Sequence, residues 1–423
     1  MKFTKTILPN GVRVITAPMA GNPTVTVMIN VATGSHHETP EQSGISHFLE
    51  HMCFKGTEKR PTARDISTEL DSIGASYNAF TGSEVTGYWA KADVRHFAKI
   101  ADVVSDVYKH SIFPVAEIEK EKGVVMGEID MYGDDPQEKI SEALVKHMYK
   151  GEPASRDVLG TKETVKAITR DDLIAYKKSQ YTPKNTVIAI AGGIDEEEML
   201  SWARQTFSDL KDAESRPGLP TKDRIQEGPE LVSLEKDTDQ AHIILSWRTF
   251  DRKHPDRYVA SMVRNILRAG MSSRLFIKLR EELGSGYYIG AHHGTSKTFG
   301  RFYISTGTAH ARVPEIVDAI LKETDRIKYE LVSVQELEKV KEYRRAHLRM
   351  GLETSDDVAD FLVDQEVIKN DIYTPEKFDE IYSKITAEDI QRVAATLFDS
   401  KKLTVGVIGK GIDLAALKKV LNT

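Results

Sequence analysis

The chain repeats itself. Ala167-Ile168-Thr169-Arg170-Asp171-Asp172-Leu173 returns in character as Lys384-Ile385-Thr386-Ala387-Glu388-Asp389-Ile390, 217 positions on. Each copy leads through an amphipathic stretch into a short apolar strand, Thr186–Ala191 and Leu403–Ile408, then into glycine and an Ile-Asp pair, Ile194-Asp195 and Ile412-Asp413. The fronts of the two halves match as well: Val25–Val31 alternates like a half-buried strand, and so does Ala241–Trp247, 216 positions on. A repeat offset near half of 423 residues means a duplicated domain, so one architecture must be built twice. The Pro/Gly/charged stretch Ser215–Gly228 reads as the join. The expected domains are residues 1–214, a linker over 215–229, and residues 230–423.

Within each half the pattern is mixed. Thr4–Leu8, the Asn10-Gly11 turn and Val12–Ala17 signal a hairpin. A longer strand is expected at Val25–Ala32, helices around Ile45–Phe54 and Thr62–Ile73, and a strand pair within Ser76–Lys91. Helices dominate from Val94 until a last strand before Gly192. Hairpin-linked strands with helices gathered between them predict an α+β fold: two homologous repeats, each a mainly antiparallel sheet with helices packed on it.

Charge and cysteine usage exclude several classes. The 58 Lys and Arg against 64 Asp and Glu leave a net charge of −6 with no basic tract, which speaks against nucleic acid or an anionic membrane as partner. The single cysteine, Cys53, rules out an intrachain disulfide framework and a thiolate-rich zinc site, and reads as a buried structural thiol. No apolar run approaches the length of a membrane span. Lys5 and the Pro9-Asn10-Gly11 turn interrupt the N-terminus before a signal-peptide core can form, so a cytoplasmic protein is expected.

The segment that carries chemistry is Gly44-Ile45-Ser46-His47-Phe48-Leu49-Glu50-His51-Met52-Cys53-Phe54-Lys55-Gly56-Thr57. On a helix His47 and His51 project from one face, as two nitrogen ligands of one zinc ion require. Glu50 lies on the same side, able to reach a water at the metal without ligating it. This is the H-x-x-E-H order. The competing reading, two core histidines, would bury a charged glutamate in an apolar run without partners, which is costly.

A third ligand is needed, with a fourth position left open, and a carboxylate is the usual complement. The helical stretch Glu117–Tyr132 offers several. Ile118, Val125, Ile129 and Tyr132 mark its buried stripe; Glu121 and Glu128 flank that stripe two turns apart. Spacing alone leaves both open.

Together, Gly44–Thr57 and Glu119-Lys120-Glu121-Lys122-Gly123-Val124-Val125-Met126-Gly127-Glu128 resemble the zinc-binding segments of the pitrilysin, insulin-degrading-enzyme and mitochondrial-processing-peptidase family, in a short bacterial-type form. The likeness runs over essentially the whole chain. It implies the metallohydrolase fold of that family and zinc-dependent endopeptidase activity, with one Zn²⁺ per chain on His47, His51 and Glu128, Glu50 as catalytic base and Glu121 supporting the site. Tyr77-Asn78-Ala79-Phe80-Thr81 resembles the family's edge strand, where a peptide substrate adds as an extra strand, so Asn78, Ala79 and Phe80 are implied to bind substrate. In the second half, Arg280 and Tyr287 match a substrate-contacting Arg/Tyr pair.

The second repeat has lost the metal chemistry. Counterparts of the motif fall near Val263, Ile266 and Leu267, and that of Glu128 near Arg344. Arg268-Ala269-Gly270 stands where a glycine-richer loop is common in the family. Relatives enclose short or unfolded peptides in a chamber of four such half-domains. This chain supplies two halves and carries both the zinc motif and Arg280/Tyr287, so the resemblance implies a homodimer with composite active sites. The alternative is a non-catalytic assembly subunit of the same fold, which would be expected to lose a metal residue; none is lost. His36-His37 and His292-His293 are vicinal and are expected to point to opposite faces of strands as wall or surface groups. Asp134-Asp135-Pro136 is expected to stop a helix and start a turn.

Overall fold

A computed structural model describes residues 1–211 and 213–422. The first repeat supplies β1 (Thr4–Ile7), β2 (Arg13–Pro18), β3 (Thr24–Val31), β4 (Ser76–Thr81), β5 (Thr86–Asp93) and β6 (Thr186–Gly192). The second supplies β7 (Glu230–Glu235), β8 (Ala241–Thr249), β9 (Ile289–Thr295), β10 (Gly300–Thr308) and β11 (Leu403–Gly409). The helices that matter below are α1 (Ile45–Cys53), α2 (Val115–Asp134), α3 (Pro136–Met148), α4 (Arg257–Arg268), α5 (Val334–Met350) and α6 (Ser355–Lys369).

The strands form two sheets, ordered β1-β2-β6-β3-β5-β4 and β7-β11-β8-β10-β9. Setting β1 aside, the two orders superpose strand for strand. Each sheet has one parallel pair, β2 with β6 and β7 with β11, and every other pair is antiparallel. The duplication read from the sequence is therefore a duplication of topology, and the fold is α+β as expected. The Asn10-Gly11 hairpin pairs Ile7 with Arg13, with Gly11 at φ +97°, a left-handed conformation that glycine adopts without strain.

The chain condenses into two compact units that interleave along the sequence: residues 1–130, 156–219 and 349–374, and residues 131–155, 220–348 and 375–423. Each unit borrows a helix from the other repeat. In the first, α1 covers one sheet face, packing Phe48, Leu49 and Met52 with Val27, Ile29, Tyr88 and Ala90. The opposite face is covered by α6, which brings Val358, Leu362 and Val363 onto Ile15, Met28, Val187 and Ala189. Here the structure differs from the half-buried strand read from Val25–Val31: all seven residues are buried, because α6 closes the second face. The polar members of that face are paired, Thr26 Oγ1 lying 2.9 Å from Ser355 Oγ. In the second unit α3 plays the same part, seating Ile140, Leu144 and Met148 with Ile244 and Ile408. Gly406 allows this approach, since a Cβ there would sit 2.7 Å from Leu144 Cδ1.

Asp134-Asp135-Pro136 is tighter than a turn. Asp135 caps α3 directly, its Oδ1 accepting from Gln137 N at 2.7 Å, and Pro136 takes the first helical position where its missing N–H costs nothing. Residues 213–229 form neither helix nor strand. Among the described residues no helix is long and apolar enough to cross a membrane.

Candidate metal centre

α1 begins where the sequence leaves room for nothing larger than glycine. Gly44 has φ +93°, and a Cβ on it would lie 2.6 Å from the Leu159 carbonyl oxygen. The exposed N–H groups of this first turn are met by a buried carboxylate: Glu38 accepts from Gly44 N and from Ser46 N, both at 2.8 Å. Ser46 Oγ lies 2.7 Å from Tyr176 OH, tying the turn to the helix Arg170–Gln180. Burial raises the Glu38 pKa to about 7 against the pull of its hydrogen bonds to Ser46 and Gly44.

Anchored this way, α1 sends His47 and His51 from one face toward α2. Glu128 Oε2 is 3.7 Å from His47 Nε2 and 3.8 Å from His51 Nε2, and the ligand atoms of the three residues all lie within 4.8 Å of one another. Ligands on a tetrahedral zinc at about 2.0–2.1 Å stand roughly 3.3–3.4 Å apart, so the two separations from Glu128 exceed that spacing by only a few tenths of an ångström. The choice that spacing left open between the two glutamates has a geometric answer. Glu128 meets the Nε2 atoms, whereas Glu121 Oε1 pairs with His51 Nδ1 at 2.8 Å, on the far side of the ring.

The electrostatics suit a cation. Burial, with the nearby His51 charge, lowers the His47 pKa to about 4, keeping that imidazole neutral. Burial would lower His51 too, but the Glu121 hydrogen bond and the charges of Glu50, Glu121 and Glu128 outweigh it and favour positive charge. Glu121, itself buried, is nonetheless held low by His51 and by Lys55, whose Nζ lies 2.6 Å from Glu121 Oε2. His47 Nδ1 is buried without a hydrogen-bond partner.

Glu50 sits beside this set, and burial raises its pKa. Thr81 Oγ1, at the end of β4, donates to Glu50 Oε2 at 2.9 Å. Sequence reasoning placed Thr81 and Lys55 in the right segments without giving either a role, and missed Glu38 altogether.

β4 is the outer strand of its sheet. Tyr77, Asn78 and Ala79 line a cleft of about 460 Å³ together with Glu50, His51 and Glu121. The outward N–H of Ala79 donates to the Asn78 Oδ1 at 2.9 Å, a local bond that an incoming carbonyl can replace. Phe80 is not among the cleft residues; its ring lies against Gly87, where a Cβ would come within 2.5 Å.

Arg280 and Tyr287 belong to the second unit. Arg280 lies on a π-helical segment, Phe276–Glu282, and its Nη1 donates to Gly286 O at 3.2 Å; Tyr287 is 70% exposed. His36 and His37 lie on a buried 3₁₀ turn instead of a strand, whereas His292 and His293 are on β9, stacked on Tyr303 and tilted against Phe302 respectively. Cys53 is buried, with Tyr88 OH 3.4 Å from its Sγ.

Comparisons with known proteins agree with this reading of the fold. Residues 13–162 match the family model described as insulinase (peptidase family M16), and residues 167–343 match the M16 inactive domain. An uncharacterized zinc protease of Bacillus subtilis, YmxG, is 33% identical over 91% of this chain and 92% of its own. A crystal structure of a protease from Helicobacter pylori aligns with a TM-score of 0.89 at 22% identity, covering 96% of this chain and 99% of that one. A peptidase M16 inactive domain from Pseudomonas fluorescens aligns at 0.88 and 17% identity, covering 97% and 99%.

Proposed function

The chain belongs to peptidase family M16, the insulinase family, and from that premise we propose that it is a zinc-dependent endopeptidase. The observation that carries the proposal is the convergence of His47, His51 and Glu128 within 4.8 Å, with Glu50 alongside and outside the ligand set. One Zn²⁺ per chain would be held by those three residues. Bound there, zinc supplies Lewis acidity, polarising a carbonyl and acidifying water.

The remaining chemistry is done by the chain. A peptide adds in extended form along β4, exchanging the Asn78–Ala79 bond for main-chain hydrogen bonds that align its scissile carbonyl. Glu50 takes the proton of the attacking water as the oxygen adds to the carbonyl carbon. It then delivers that proton to the amide nitrogen as the C–N bond breaks. Thr81 fixes the Glu50 carboxylate, and Glu121 fixes the His51 ring so that Nε2 faces inward.

The family organisation extends the proposal to a homodimer, with Arg280 and Tyr287 of one chain serving the zinc site of the other. Such an enclosure admits short or unfolded peptides. The test is metal analysis of the purified protein with cleavage of a mixed peptide library before and after chelation. One zinc per chain and cleavage that is lost to chelator and restored by Zn²⁺ are expected. Cleavage that survives complete metal removal, or zinc-loaded protein that cuts nothing, overturns the proposal.

A further inference from the structure

The matched topology of the two sheets gives each unit a cleft at the same place. In the first unit it lies beside α1, which joins β3 to β4, and beside α2, which follows β5. In the second it lies beside α4, which joins β8 to β9, and beside α5, which follows β10. This second cleft has a volume of about 400 Å³. Where the first is lined by Glu50, His51 and Glu121, the second is lined by Arg264, Asn265, Arg268, His292, Ser305 and Tyr343, with no carboxylate among its lining residues. The first cleft sets Lys55 and Arg64 against its two carboxylates, whereas the second carries basic groups alone.

Its donors are only partly committed. Arg264 gives its Nε and Nη2 to the neighbouring Asn265 Oδ1, at 3.1 and 2.6 Å, leaving Nη1 unused. Arg268 spends only its Nε, on the Ile289 carbonyl. Asn265 is 2% exposed, and its Nδ2 is buried with no hydrogen-bond partner. A buried amide donor without an acceptor costs about 1–3 kcal/mol, so the site is incomplete without something that accepts. Arg344, near the position equivalent to Glu128, adds a further positive charge. Burial together with the charges of Arg344 and Arg268 depresses the Arg264 pKa, and burial with the charges of Arg264, Arg301 and Arg268 lowers that of His292. Asp135, the carboxylate that bears on the cleft residue Tyr288, is occupied at the N-terminus of α3.

From this arrangement we infer that the second unit carries an oxyanion-binding site, in which the guanidinium groups of Arg264 and Arg268 and the Asn265 amide hold a phosphate or carboxylate group. The remaining guanidinium N–H groups of two arginines and an amide offer the charge-assisted donors that such groups take up. The second cleft thus stands at the equivalent place in the duplicated topology with anion-binding groups where the first has the proposed metal site beside it.

The test is calorimetric titration of the full-length, zinc-loaded protein with inorganic phosphate and, separately, with glutarate, at ionic strength held constant with chloride. Saturable binding of at least one is expected, weakened roughly tenfold or more in R264Q/R268Q. R268Q alone serves if the double variant does not fold, because Arg268 is exposed. Binding of phosphate alone, of glutarate alone or of both identifies the group the site takes. No saturable binding of either, or binding unchanged by the substitutions, overturns the inference.

Discussion

Glu121 Oε1 stands 2.8 Å from His51 Nδ1, the ring nitrogen that faces away from Glu128. That bond selects the tautomer of His51 with its proton on Nδ1, leaves Nε2 free to ligate, and raises the basicity of the ring. Its other oxygen is held by Lys55 at 2.6 Å, so the glutamate is fixed from both ends and cannot swing into the ligand set. Glu121→Gln is therefore expected to weaken zinc binding by roughly 10–100-fold without unfolding the protein. Competition with a zinc chelator measures the affinity, and circular dichroism reports the fold. An unchanged affinity would show that His51 needs no such partner.

Glu50 and Glu128 differ from each other in a way that metal content and turnover separate. Glu128 offers a ligand atom to the proposed zinc, and Glu50 lies outside the set with Thr81 on its Oε2. Glu50→Gln is expected to retain zinc and lose about 10²–10⁴ of kcat, the usual weight of general acid–base catalysis. Glu128→Gln is expected to lose the zinc itself. Normal peptide cleavage by the Glu50 variant would remove that residue from the mechanism.

Glu38 makes stability depend on pH. Its pKa in the fold is about 7, raised by burial above the value of 4.5 that an exposed glutamate has. A carboxyl whose folded pKa is raised contributes stability that is full below the unfolded pKa and is lost as pH climbs through the folded one, because the folded state holds the proton longer. Glu38→Gln removes this titration, while costing one acceptor for the N–H groups of Gly44 and Ser46 at every pH. The variant should be destabilised at pH 5, with a deficit in melting temperature that shrinks by pH 8. A deficit constant across that range would mean that Glu38 does not titrate there.

What the sequence made legible was what depends on local period. The His47/Glu50/His51 spacing reads directly as one helix face, and the repeat offset reads directly as a duplicated sheet. The choice between Glu121 and Glu128 was not legible from spacing, because both flank the same stripe of α2; only the resemblance separated them, and their separation in space is by ring nitrogen. Thr81, Lys55 and Glu38 carried no signal, since each acts across elements that the local pattern does not join. The same holds for α3 and α6. Their apolar residues announce burial, yet nothing in either helix says which sheet it will cover, so strands buried on both faces looked buried on one.

The exchanged helices predict where a core mutation is felt. Leu362 lies in the second repeat but packs on the first sheet with Met28 and Val187, and Leu144 lies in the first repeat but packs with Ile244 of the second. Each Leu→Ala change should cost about 2–5 kcal/mol. Hydrogen exchange should accelerate in β3 and β6 for Leu362→Ala, and in β8 and β11 for Leu144→Ala. The reverse assignment would contradict the exchange.

Composite sites in a homodimer would make a distinctive arithmetic of mixed subunits. A chain with Glu50→Gln has no working base but an intact Arg280; a chain with Arg280→Ala has the base but not the guanidinium. Each homodimer is then inactive or crippled at both sites. In a mixed dimer completed in trans, one site carries both defects and the other carries neither. Random exchange makes half of the dimers mixed, so activity should recover to about a quarter of the wild-type value. Sites completed within one chain would give no recovery at all, since every site would keep a defect. Subunit exchange is followed independently by mass spectrometry of differently tagged chains, so absence of recovery with exchange established would assign Arg280 to its own chain's site.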